Sequence, residues 1–460
     1  MPKHTGQHDK PDFPFHVGIF DTYIEDIRCR IYYPSGPTPK YITKLNDTRK
    51  IKDNSNEDIV FKTYFKFGLT VLLGAIFKFL TWPRVYNFIL NNYSKSKWFK
   101  INSKTQKFVK NDMNRSVPYE VESCMTGFST FDVGKDKHLK TPDENMLREM
   151  MSDNLVQRII LFHNGVGAGI DNNYTNFCIR MAKEMKALVV VPAFSCGTMV
   201  YHYDRKNEKH VEYSYHIPMW TNSPERKMQN DIRSEESYRI VQALKSLCTT
   251  GKSKPFSAVG HSFGGTSVVH LQAENPKLVS DCFDSIVSLG GSLGVGITDQ
   301  DWGRILRKEY STRSLQIYET NYKASKDPRQ LSCFNRTFVG EKISKLSSDK
   351  NPQKNYVYTV QNTDHWDLGD DYFEHTYSEG ITKFLAYCIL KYSGSLCLSE
   401  NPKKSFEDQL ELTKAFIEGE SSFEKCVNEG NGGRFVVGIP NKEKVDEKRV
   451  EESVRRLLKC

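Results

Sequence analysis

The chain has 460 residues, 38% hydrophobic and 26% charged, so it can bury a core and is not disordered throughout. Its 65 basic and 56 acidic side chains leave a net charge of +9, spread along the chain. That suits mild attraction to anionic surfaces and argues against a nucleic-acid-binding face.

Eleven cysteines occur without CxxC pairs, which fits reduced thiols in a cytosolic enzyme. The opening "MPKHTGQHDKPDFPF" lacks the apolar h-region of a signal peptide. Pro2 excludes myristoylation, and Cys460 comes too late for prenylation. The expected location is the cytoplasm, with peripheral contact with membranes.

In chain order, "CRIYYPS" (29–35) predicts a strand ended by a proline turn, followed by a polar, turn-rich stretch from 36 to 60. In "YFKFGLTVLLGAIFKFLTWPR" the apolar residues Phe65, Leu69, Leu72, Leu73, Ile76, Phe77 and Leu80 follow a helical period. Lys66 and Lys78 interrupt this helix and Pro83 ends it. Its uninterrupted apolar run is well short of the ~20 residues needed to cross a bilayer.

From 155 onward strands and helices alternate. "LVQRIILFHNG", "ALVVVPAF", "FSAVGHS", "DSIVSLGG", "LQIYET" and "YVYTVQNTDH" read as strands. "NNYTNFCIRMAKEM" and "NDIRSEESYRIVQALKSLC" read as helices, as does a small-residue segment after Ser262, and "YFEHTYSEGITKFLAYCILKY" reads as the closing helix. The expected fold is α/β: a mostly parallel sheet with helices on both faces, the α/β-hydrolase pattern. A domain over 1–392 would be followed by a charged helical tail over 393–460.

The chemistry centres on "VGHSFGG". G-x-S-x-G between a strand and a helix is a nucleophile elbow, in which the serine occupies a strained turn and the glycines let backbones pass closely. Ser262 is the candidate nucleophile, and it needs a base, because a serine hydroxyl attacks poorly at neutral pH. Three histidines follow it: His270, His365 and His375. His270 lies two turns into the next helix and His375 within the closing one. His365, on the loop after the last strand, is the candidate base.

The acid should end a strand between Ser262 and His365. Glu319 is the best placed, with Asp284, Asp299 and Asp301 as alternatives. Two backbone N–H groups should hold the oxyanion: Phe263, after the nucleophile, and Val166, in "FHNGVGAG".

These blocks resemble the platelet-activating factor acetylhydrolases, the calcium-independent lipoprotein-associated and intracellular phospholipases of the α/β-hydrolase class. "FHVGIFDTYIEDIRCRIYYPS" is similar to the family's V-G…L-Y-Y-P-S segment, "ILFHNGVGAG" to its F-S-H-G-L-G loop, "VGHSFGGTSV" to its elbow and "TDHWDLGDDYF" to its histidine block. The resemblance implies Ser262 as nucleophile, His365 as base and Val166 and Phe263 as oxyanion donors. It also implies an interfacial role for the 65–80 helix, whose flanking Lys62, Lys66 and Arg84 suit a lipid surface; packing on the sheet would produce the same period.

Three departures stand out. Where the family carries its acid, in L-D-A-W, this chain reads Leu289-Gly290-Gly291-Ser292. The acid has moved to Glu319, or Asp284 serves, or the triad is incomplete. Asn164 replaces a histidine before the oxyanion glycine. The tail and the inserts near 205–225 and 295–312 have no counterpart in the family.

The expected function is hydrolysis of a short or oxidised sn-2 acyl ester of a phospholipid, at a membrane or lipoprotein surface, with no cofactor and no metal. The alternatives are a general carboxylesterase, an acyltransferase, or a lipid-binding homologue without its acid. A carboxylate within about 3.2 Å of the His365 ring separates the last from the others. Oligomeric state is not specified by the sequence.

Overall fold

The computed structural model describes residues 16–35, 124–126, 144–152, 154–167, 174–199, 201–204, 209–212, 214, 223–248, 254–274, 276–291, 295–306, 312–320, 355–365, 367–369, 399, 401–430 and 433–438, with 448, 451, 452 and 455. The 65–80 helix, the closing helix and His375 lie outside them.

Twelve strands are described: β1 (His16–Ile24), β2 (Ile27–Ser35), β3 (Cys124–Thr126), β4 (Arg158–His163), β5 (Ala187–Pro192), β6 (Tyr201–Asp204), β7 (Lys209–Glu212), β8 (Phe256–His261), β9 (Ser285–Leu289), β10 (Arg313–Glu319), β11 (Asn355–Val360) and β12 (Phe435–Val437). The helices are α1 (Glu144–Ser152), α2 (Thr175–Glu184), α3 (Pro224–Leu247), α4 (Phe263–Glu274), α5 (Pro276–Cys282), α6 (Asp299–Leu306), α7 (Pro402–Glu418) and α8 (Glu420–Gly430).

Ten strands form one sheet in the order β12-β11-β10-β9-β8-β4-β5-β2-β1-β3. From β5 to β11 in that order they run parallel. β2 and β12 join antiparallel at either side. Helices cover both faces, and this is the α/β-hydrolase fold. β6 and β7 form a separate hairpin in the first insert, and α6 lies in the second.

The pleat sorts the core. In β4, Ile159 and Leu161 point to the face packed by α1, α3, α4 and α5, while Ile160 and Phe162 point to the face packed by α2, α7 and α8. All four are 1% exposed or less, and burying each contributes about 1.5–3 kcal/mol. Because both faces are covered, these strands are apolar runs and not alternating patterns.

The C-terminal segment, expected as a charged helical tail, is helical over α7 and α8 and packs on the sheet. Phe406, Leu410, Phe416, Phe423 and Phe435 are buried in the same core as β4 and β10, and β12 extends the sheet beside β11. A boundary at 392 therefore does not divide the core: residues 402–437 complete one face of it. The antiparallel β1, paired with β2 from Ile24↔Ile27 to His16↔Ser35, also extends the sheet beyond the expected strands.

Candidate active site

β8 runs directly into the elbow. Ser262 has φ 57°, in the left-handed region where a non-glycine residue stores about 1–3 kcal/mol of strain. Its N–H donates to the Leu289 carbonyl at 2.9 Å, and its carbonyl accepts from the Thr266 N–H at 3.1 Å. A Cβ on Gly264 would lie 1.9 Å from the His163 carbonyl oxygen, so the crossing of α4 over β4 admits only glycine. The Phe263 amide belongs to the first turn of α4, where N–H groups lack intrahelical acceptors and the helix dipole favours an anion.

The glycine-containing loop after β4, the candidate oxyanion loop, is held from α3. Arg233, fully buried, donates to the Asn164 carbonyl at 2.8 Å and also bonds Thr198 Oγ1. The Gly167 N–H donates to the Thr198 carbonyl at 2.8 Å, so one arginine and one threonine fix the loop at both ends. The same guanidinium lies 5.0 Å from the Phe263 ring centroid, and Arg226 lies 5.4 Å from it. Val166 packs beside Phe263 and Val295. The donor loop and the elbow thus share one anchor.

β10 ends at Glu319, which is 1% exposed. Its Oε1 lies 3.1 Å from His365 Nδ1. Gly290 explains how a carboxylate reaches the histidine from this strand. A Cβ at Gly290 would sit 2.0 Å from Glu319 Oε1 and 2.9 Å from His365 Nδ1, and its φ is +54°. The position after β9 is therefore occupied by the Glu319 carboxyl from the next strand, where a side chain would collide with it.

The alternatives lie elsewhere. Asp284 Oδ2 accepts from the Phe256 N–H at 2.8 Å, at the opposite end of β8 from Ser262. Asp301 accepts from the Thr298 N–H and hydroxyl at 2.6 and 2.7 Å, at the start of α6. Asp299 opens that same helix.

His365 is held on a tight turn in which the Asp364 N–H donates to Asp367 Oδ2 at 2.7 Å. Burial lowers the basicity of its ring, but the charge and hydrogen bond of Glu319, then Asp364, outweigh this and raise its pKa above the ordinary value. A paired imidazole of this kind is suited to accepting a proton. Burial pushes the Asp367 carboxyl up to about 6.

Two further groups were missed in the sequence. His261, the variable residue inside the elbow, is 3% exposed and stacks on His365 with centroids 4.5 Å apart. Tyr174 Oη lies 2.7 Å from His261 Nδ1. Burial, then the charge of His365, hold the His261 pKa well below the ordinary value, so this ring is neutral. The "GHS" tripeptide was the available signal: its first two residues end the buried strand that leads into the serine. Asn164 is also buried, and its backbone carbonyl is the Arg233 acceptor.

No family model matches the chain, and no curated relative does. Among solved structures it is similar to a ferulic acid esterase from Streptomyces cinnamoneus, at 10% identity and TM-score 0.46, over 90% of each chain. It is also similar to a dienelactone hydrolase from Anabaena variabilis, at 13% identity and TM-score 0.29, over 52% of this chain and 86% of that one. A third is carboxyl esterase 2 from Tuber melanosporum, at 12% identity and TM-score 0.31, over 53% of this chain and 80% of that one.

Proposed function

We propose that the protein is a serine esterase in which Ser262, His365 and Glu319 act together. The observation that carries the reading is the conjunction of a strained serine at φ 57° with an imidazole held 3.1 Å from a buried carboxylate on the same edge of the sheet. Ser262 Oγ attacks the ester carbonyl while His365 Nε2 takes its proton. The Phe263 and Val166 N–H groups hold the oxyanion, and His365 returns the proton to the departing alcohol. Water, deprotonated by His365, then cleaves the acyl-enzyme and restores the serine. Glu319 keeps the ring in the tautomer that this sequence of transfers needs. No step requires a metal.

For the substrate we infer the short or oxidised sn-2 acyl ester of a phospholipid, presented at a membrane or lipoprotein surface. The support is the resemblance of four collinear blocks to the platelet-activating factor acetylhydrolases, together with the cationic, apolar 65–80 segment. Acetate release from 1-alkyl-2-acetyl-glycerophosphocholine, with chelator present, tests this. Turnover lost in Ser262→Ala supports it. Turnover confined to soluble phenyl esters leaves the general carboxylesterase.

A further inference from the structure

Two buried polar atoms of the site are left over by the esterase mechanism. Among the described residues, neither His261 Nε2 nor Glu319 Oε2 has a hydrogen-bond partner, although the two residues are 3% and 1% exposed. A buried polar atom without a partner is destabilising, so both need a reason. The two imidazoles converge on the other oxygen of the same carboxylate. His261 Nε2 is 3.9 Å and His365 Nδ1 3.1 Å from Glu319 Oε1, and the three ligand atoms lie within 4.8 Å of one another.

We propose that His261, Glu319 and His365 form a seat for a borderline divalent cation of the Zn2+ type, and that filling it switches the enzyme off. Two imidazoles and a carboxylate are a zinc donor set, and tetrahedral ligands at about 2.0–2.1 Å from the metal stand about 3.3 Å apart. The gaps in the cluster bracket that spacing. A metal-bound imidazole usually gives its other ring N–H to an acceptor, and Tyr174 Oη, 2.7 Å from His261 Nδ1, is placed to receive it.

Inhibition follows from proton placement. The cation takes the lone pair of His365 Nδ1, and the ring proton moves to Nε2. Nε2 is the atom that must be free to accept the Ser262 proton, so the nucleophile loses its base. The site keeps its shape and loses its chemistry.

A second cluster, Asp231, His270 and Glu274, makes the contrast. Lys227 Nζ already lies 2.8 and 2.9 Å from both Asp231 oxygens, and Arg304 lies 3.6 Å from Glu274. That cluster carries its own cations.

The inhibition rests on the esterase reading; the seat does not. The test is competition for Zn2+ between the full-length protein and a chromophoric chelator, with X-ray absorption at the zinc edge. The tightest equivalent should show two imidazoles, vanish in His261→Ala and Glu319→Gln, and weaken about tenfold or more in Tyr174→Phe. If His261→Ala misfolds by circular dichroism, the other two variants and the wild-type spectrum decide. Equal affinity in all variants, or fewer than two imidazoles in the wild type, overturns the seat. The same equivalent should abolish hydrolysis of 4-nitrophenyl acetate, reversibly with chelator. Zinc bound through two imidazoles with turnover unchanged overturns the switch. A protein that binds zinc so and never cleaves an ester supports the seat and overturns the esterase reading instead.

Discussion

Helix α4 is flanked by two imidazole–carboxylate pairs that look alike on paper. At its N-terminal end, His365 Nδ1 meets Glu319 at 3.1 Å. Two turns along, His270 Nε2 meets Asp231 at 2.8 Å, with Asp301 3.6 Å from its other nitrogen. Both histidines have raised pKa values. What separates them is the surroundings. The His365 side chain is 25% exposed and shares the sheet edge with a strained serine. The His270 side chain is 0% exposed, locked among α3, α4 and α6, with no nucleophile beside it. An imidazole–carboxylate pair can thus lock a helix in the interior or stand on the sheet edge of a nucleophile elbow, and the neighbouring backbone distinguishes the two.

The comparison breaks most visibly at the catalytic end. Ser262→Ala should reduce ester turnover about 10⁶-fold while leaving the melting temperature of the protein unchanged, because it removes only a hydroxyl and keeps the packing; hydrolysis rates with thermal melts check this. Glu319→Gln should cost about 10⁴ in kcat, whereas Asp231→Asn, at the other pair, should leave kcat within about twofold. Equal losses at the two pairs would erase the distinction.

Smaller effects sharpen it. Gly290→Ala drives a methyl group toward Glu319 and His365, and a misplacement of that order should cost about 10² in turnover, with His365 still present. Arg233→Met frees the candidate oxyanion loop and leaves the Asn164 carbonyl without its charged donor. It should lower stability by about 3 kcal/mol and turnover about 10²-fold, as urea unfolding and kinetics would show.

The smallest effect belongs to His270 and appears in stability alone. Burial lowers its pKa, but hydrogen bonds to Asp231 and Asp301 more than compensate, so the folded value lies above the unfolded one. The stabilisation is therefore fully present below the unfolded pKa, about 6.5, and is lost as pH rises through the folded value. Asp231 and Asp301 themselves have lowered pKa values, their burial being outweighed by His270 and, for Asp231, Lys227, and for Asp301, the Thr298 donors. Their contribution is present above the unfolded aspartate value and fades in acid. Lys227 and Arg304 also face the cluster. Urea midpoints measured from pH 6 to 9 should fall for the wild type and flatten in His270→Gln.

Much of the fold was legible because fully covered parallel strands are written as apolar runs: "RIILFH", "ALVVVP" and "SIVSL" need no partner to be recognised. β12 was not, since three residues between loops acquire meaning only beside β11. Helices α7 and α8 read as a tail because their apolar residues are separated by charges, and nothing local tells that Phe406 and Phe416 meet the sheet. In the site, Ser262 is announced by its own pentapeptide and His365 by chain order. Glu319 is suggested by its place at the end of a strand between the two, and Gly290 one strand earlier strengthens that choice. Arg233, Tyr174 and His261 act across 69, 87 and 58 residues of sequence, on Asn164, His261 and Glu319 respectively, and side-chain convergence at that range leaves no periodic trace.

The most direct test of the central claim is labelling with an alkyl fluorophosphonate, followed by mass mapping of the modified peptide. A stoichiometric adduct on Ser262, formed far more slowly in Glu319→Gln and His365→Ala, is the predicted result. A folded wild-type protein that leaves Ser262 unlabelled, or labels equally fast without Glu319 and His365, would contradict it.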